Sequence, residues 1–130
     1  MMITKELLDK LSTQAKINPR LRQNYDLRNS EADQSQRMLN ALEPETIVPI
    51  HRHTKSSETV VIIRGAVREY FYDENGKLIE DITLRYGGEV PVLVVPKGMW
   101  HNLECLETNT IIYESKDGAY EPTKPEDIQN

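Results

Sequence analysis

The entire histidine supply of this chain lies in two short blocks, and their spacing leaves few folds open. The first reads His51-Arg52-His53-Thr54-Lys55-Ser56-Ser57-Glu58, then six residues and Gly65. The second, about 30 residues further on, reads Pro96-Lys97-Gly98-Met99-Trp100-His101. Residues i and i+2 of a strand share a face, so His51 and His53 look the same way from one strand. Glu58 opens the next strand, predicted over Thr59–Arg64, and the polar Thr54–Ser57 stretch is a tight link between the two. His101 arrives from a distant strand, after a turn in which proline fixes one position and glycine is free to take positive φ. Three imidazoles and one carboxylate make a ligand set for a divalent transition metal: iron, manganese, nickel, cobalt or zinc. Donors from two distant segments surround one ion only if the sheet curls on itself. The pattern predicts an all-β barrel.

The rest of the chain is read around that barrel. Ile3, Leu7, Leu8, Leu11 and Ala15 recur at helical spacing, which predicts a short helix over 3–17 that covers one end of the barrel. Thr4 is its candidate cap, and Asn18-Pro19 ends it. Residues 18–40 are polar and carry Arg20, Arg22, Arg28 and Arg37. This segment is either a solvated edge strand or a lid that brings guanidinium groups over the pocket. From Thr46 onward the pattern is β, with a hairpin across Asp73-Glu74-Asn75-Gly76 and strands near 90–95, 100–106 and 110–115. The expected organisation is one domain over 1–130. Helix and extension take about 1–40, the barrel about 41–116, and a draped or loose tail 117–130.

At this point the sequence resembles a known superfamily. H-x-H, four residues, E, six residues, G is the first cupin motif, matched from His51 to Gly65. P-x-G-x-x-H is the second, matched by Pro96, Gly98 and His101. Two positions depart from it: the usual leading glycine falls on Glu45 and the closing asparagine on Cys105, neither of them a ligand position. A narrower resemblance, to the WbuC family of cupin-fold metalloproteins, rests on Arg20-Leu-Arg22-Gln-Asn24, Arg37 to Pro44, Pro49 to His53, Lys55, Glu58 and Tyr113 to Pro122. The resemblance implies a cupin double-stranded β-helix, or jelly-roll, barrel, with His51, His53, Glu58 and His101 as metal ligands. It also implies a bacterial protein encoded among surface-polysaccharide (O-antigen) genes, and a homodimer.

Composition narrows the partners. With 130 residues the chain suits a single core, and a net charge of −5 disfavours nucleic acid and anionic membrane. No apolar run reaches membrane-spanning length, no signal-peptide core is visible, and the single cysteine excludes an intrachain disulfide. A cytoplasmic protein with a small, anionic or sugar-like ligand is the expectation. Arg37, Arg28, Asn40 and Tyr113 are the candidate substrate-binding residues. Tyr113 and Glu114 lie on opposite faces of one strand, so only one of them points inward. Cys105 is read as a small buried hydrophobe ahead of a soft neighbour to the metal, and Trp100 and Arg52 as facing away from the ligands. Isomerase or epimerase chemistry, an iron-dependent dioxygenase and a non-catalytic metal-dependent binding module all fit this ligand set.

Overall fold

The computed structural model describes residues 1–129. A helix, α1 (Lys5–Ile17), precedes the strands β1 (Arg22–Asp26), β2 (Gln36–Leu42), β3 (Ile50–His51), β4 (Glu58–Arg64) and β5 (Ala66–Tyr72). There follow β6 (Leu78–Arg85), β7 (Val92–Val95), β8 (Trp100–Cys105), β9 (Thr110–Lys116) and, after a short 3-10 turn, β10 (Ile128–Gln129). All pairings are antiparallel, in two five-stranded sheets of order β1-β2-β9-β4-β7 and β10-β3-β8-β5-β6. Among the described residues, no helix is long and apolar enough to cross a membrane.

The two sheets face each other across an apolar core of Val60, Ile62, Val67, Leu84, Val95 and Ile112 with their neighbours. Burying each such side chain contributes about 1.5–3 kcal/mol. The helix is capped as its sequence predicts, with the Thr4 hydroxyl accepting from the Leu7 amide at 3.2 Å. It does not close an end of the barrel. Leu11 and Ala15 pack instead on Leu39, Ala41 and Ile111, which project from the outer face of the first sheet. β2 and β9 are therefore covered on both faces, which explains the unbroken apolar pair Ile111-Ile112 where a half-exposed strand would alternate.

Residues 22–42, read from sequence mostly as extension, supply two strands of that sheet, and β2 lies between β1 and β9. The tail also returns to the barrel. β10 pairs with β3, the Arg52 amide donates to the Asp127 carbonyl at 3.0 Å, and Arg52 Nε donates to Asp127 Oδ1 at 2.8 Å. The same guanidinium lies 4.5 Å from the ring centroid of Trp100. Arg52 and Trp100 thus face away from the histidines, and together they strap the tail to the back of β3.

Two backbone positions bear on stability. Gly65, at the corner between β4 and β5, has φ +79, and a Cβ there would lie 2.9 Å from the Thr110 Cα. Glu45, at the position of the motif's leading glycine, also adopts positive φ, at 78°. A side chain in this region is disfavoured by about 1–2 kcal/mol. In chemical denaturation, Gly65→Ala is expected to lose more than about 2 kcal/mol, and Glu45→Gly to gain roughly 0.5 kcal/mol. Equal and small effects at both sites would contradict this reading of the two corners.

Candidate metal centre and cavity

β3 and β8 are adjacent, and their register sets His51 directly opposite His101. His53 follows just beyond the end of β3, where its carbonyl accepts from the Gly98 amide at 2.8 Å. That bond ties the first motif to the turn of the second. The three rings gather with centroid separations of 4.3 Å (His51–His101), 4.9 Å (His51–His53) and 5.4 Å (His53–His101). One nitrogen from each lies within 4.8 Å of the others, so the three histidines could hold a metal ion.

Backbone carbonyls orient two of the rings. Nδ1 of His51 lies 2.8 Å from the Pro49 carbonyl, and Nδ1 of His101 lies 2.8 Å from the Met99 carbonyl. A carbonyl only accepts, so both Nδ1 atoms carry hydrogen and each Nε2 of the neutral ring is left with a lone pair. The Glu58 carboxylate, opening β4 in the facing sheet, approaches two of the Nε2 atoms. Its Oε2 lies 3.3 Å from His53 Nε2 and 3.5 Å from His101 Nε2. Both nitrogens are buried without a hydrogen-bond partner. Lone pairs facing a buried carboxylate repel unless a proton or a metal cation lies between them. The donor set fits a divalent transition ion.

Charge in this region is uneven. Burial pushes the Glu58 carboxyl up, but hydrogen bonds from His101 and His53, formed when a proton sits on the facing nitrogens, outweigh that together with nearby Lys116 and hold it well below the usual carboxylate range. Burial, and next to it the neighbouring His101, lowers His51 to about 4. One pleat further along the facing sheets come two more carboxyl groups, Glu114 of β9 and Glu69 of β5. Burial first, then the charge of Glu58, pushes Glu114 up to about 8, while Asn40 Nδ2 donates to its Oε2 at 3.1 Å. Glu69 is 1% exposed, its Oε2 has no partner, and burial drives it well above the ordinary range. Glu69 is legible as an inward residue, since strand alternation places it with Val67 and Phe71. Its polarity hides it.

These groups line one cavity of about 620 Å³, together with Arg20, Arg22, Asn24, Asn40, Lys116 and Tyr120. Of the four candidate substrate residues, only Asn40 reaches it. Arg37 shares the outer parity of Leu39 and Ala41 and lies 4.0 Å from Asp33. Arg28 pairs with Asp26 at 2.8 Å, behind the Tyr120 ring. Tyr113 packs in the cluster under α1, so Glu114 is the inward residue of that strand. Cys105 is buried in the apolar core rather than among the cavity residues.

A family model described as a domain of unknown function, DUF6016, matches residues 3–84, more than half of the chain. The chain belongs to that family. This DUF6016 chain is also 38% identical over 60 residues to germin-like protein subfamily 3 member 4 of Arabidopsis thaliana. That match spans 46% of the chain but only 27% of the germin-like protein. Its fold is that of cupin jelly-roll proteins. The solved structure of KdgF from Halomonas sp. is similar at TM-score 0.61 and 13% identity, over 81% of this chain and 85% of KdgF. The capsular polysaccharide assembling protein CapF from Staphylococcus aureus is similar at TM-score 0.65 and 20% identity, over 82% of this chain and 29% of CapF. Bacillus subtilis oxalate decarboxylase, whose Mn(II) centres have been studied, is similar at TM-score 0.56 and 22% identity, over 77% of this chain and 26% of that protein.

The carboxyl pair makes stability pH-dependent in a direction that can be tested. A carboxyl raised to about 8 keeps its proton when folded, while the unfolded chain releases it above 4.5. The folded state then binds more protons across that window, so this group's contribution is present below about pH 4.5 and lost as pH rises toward 8. In chelator-treated protein, Glu114→Gln should gain on the wild type between pH 5 and 8 by roughly 2–4 kcal/mol, read from urea titrations. A stability gap that stays constant over that range would contradict the assignment.

Proposed function

We propose that this chain is a metal-dependent cupin enzyme of the WbuC kind. It would act on a small, polar, anionic, sugar-related metabolite in bacterial surface-polysaccharide synthesis, with isomerase- or epimerase-type chemistry. The observation that carries the reading is the buried Glu58 carboxylate against two partnerless imidazole nitrogens. His51, His53, Glu58 and His101 would hold one divalent transition ion. When bound, that ion supplies Lewis acidity to oxygens of the ligand.

The remaining chemistry belongs to the chain. Glu114, kept neutral by burial and held by Asn40, presents a proton inside the cavity. Glu69, unpartnered on the opposite sheet, is placed to exchange a proton with a ligand hydroxyl or carbon acid. Apolar Leu42, Leu103 and Ile112 line the same cavity. Two acid–base groups beside the ligand set support turnover over a binding module, and proton transfer over oxygen chemistry. Similarity to CapF supports the polysaccharide setting. The exposed Val92 and Val94 on the edge strand β7 support a homodimer.

The test is a screen of metal-loaded protein against nucleotide sugars and sugar acids in deuterated water, read by mass spectrometry and proton NMR. Solvent deuterium should enter a ligand carbon, and Glu69→Gln and Glu114→Gln should each slow that exchange by about 10²–10⁴-fold. No change in any candidate, at high protein concentration and long incubation, would sink the enzymatic reading.

A further inference from the structure

Six of the eight arginines pair with a carboxylate: Arg28 with Asp26, Arg37 with Asp33, Arg52 with Asp127, Arg64 with Asp9, Arg68 with Asp81 and Arg85 with Glu107. Among the described residues, Arg20 and Arg22 do not, and both line the cavity. In a chain with a net charge of −5 there is no shortage of carboxylates to satisfy them. Two guanidiniums at one cavity also repel each other, so their placement needs another cause.

The backbone holds them there. Leu21, between the two, has φ 55, a region that a leucine rarely enters. The corner is locked on both sides. The Arg20 amide donates to Asn18 Oδ1 at 2.9 Å, and the Leu21 amide to the Asn18 carbonyl at 2.9 Å. The Leu21 carbonyl accepts from the Thr46 hydroxyl at 2.6 Å and from the Glu43 amide at 3.1 Å. Glu43 is itself fixed, its carboxylate accepting from the Thr108 hydroxyl at 2.6 Å and the Asn109 amide at 2.7 Å. Disfavoured backbone held by this many bonds commonly marks a positioned side chain. Here it sets two guanidiniums at one wall of the cavity. The opposing interior carries Glu69, whose buried Oε2 has no partner in the chain.

We propose that Arg20 and Arg22 form an oxyanion clamp for a carboxylate or phosphate at one end of a hydroxylated small molecule. The clamp directs the neutral hydroxyls of that molecule inward, toward Glu69, Glu114 and the histidines. Guanidinium forks match the paired oxygens of either anion, and the negative Glu58 deeper in the cavity discourages entry by the charged end. The inner contacts rest on the function proposed above; the clamp itself does not require a metal.

Isothermal titration calorimetry tests it, with glucuronate as the carboxylate probe, glucose 6-phosphate as the phosphate probe and glucose as the neutral control. Metal-loaded and chelator-treated protein are run side by side. At least one acidic probe should bind, with glucose at least tenfold weaker. Arg20→Gln and Arg22→Gln should each weaken that probe about tenfold, Arg22→Lys should recover part of the loss, and Arg85→Gln should change nothing. The order of the two acidic probes identifies the oxyanion, and either order upholds the clamp. It is overturned if neither acid binds at millimolar concentration, if glucose binds as well as they do, or if the two arginine changes stay within twofold of wild type. Protein that takes up no metal yet still loses affinity on both arginine changes upholds the clamp and overturns the metal centre. Metal-loaded protein whose acidic probe ignores both arginines overturns the clamp alone.

Discussion

A buried carboxylate facing two partnerless imidazole nitrogens is the constraint on which the rest of this molecule depends. Glu58 comes from one sheet and the histidines from the other, so the sheets must close to bring them within 3.3–3.5 Å. Closure alone would leave an expensive cluster of like-sided electron pairs. The chain invests in holding it anyway. Backbone carbonyls of Pro49 and Met99 fix two rings, the Gly98 amide ties down His53, and Arg52 with Trp100 and Asp127 buttresses the ligand strand from behind. A divalent cation would turn that cost into binding energy, and the bracing would become preorganisation.

The cavity around the site is layered by charge. Arg20, Arg22 and Lys116 supply positive groups, Glu58 is held below the usual carboxylate range among the imidazoles, and beyond it burial pushes Glu69 and Glu114 up. Apolar Leu42, Leu103 and Ile112 line the cavity as well. Similar solved structures share the barrel at no more than 22% identity, so they establish its architecture and not its contents. The interior carboxyls and the cavity arginines are read from this chain alone.

Legibility differed by kind of residue, for physical reasons. His51, His53, Glu58 and His101 stand out in sequence because ligand spacing is a local pattern, and the structure brings these four side chains together. The hairpin at Asn75-Gly76 is equally local, with Gly76 at φ 80 as the turn requires. Substrate residues are not local. Arg37 and Asn40 lie three apart on β2 and so must face opposite ways, and which of them faces inward depends on α1 covering the outer parity. Tyr113 and Glu114 are divided by the same helix. Arg28 is diverted by Asp26 two residues away, whereas Arg20 and Arg22 line the cavity on either side of a leucine in a left-handed turn, which no propensity predicts. The tail reads as loose because its anchor, Asp127 on Arg52, spans 75 residues.

Metal content tests the central claim most directly. Elemental mass spectrometry of untagged protein should find close to one iron, manganese, nickel, cobalt or zinc per chain, and His51→Ala, Glu58→Ala and His101→Ala should each lose most of it while retaining the β-sheet circular dichroism of the wild type. A folded wild type that holds no metal, even after reconstitution with each of those ions, would contradict the account. The buried carboxylate and imidazoles would then have to be held together by protons instead.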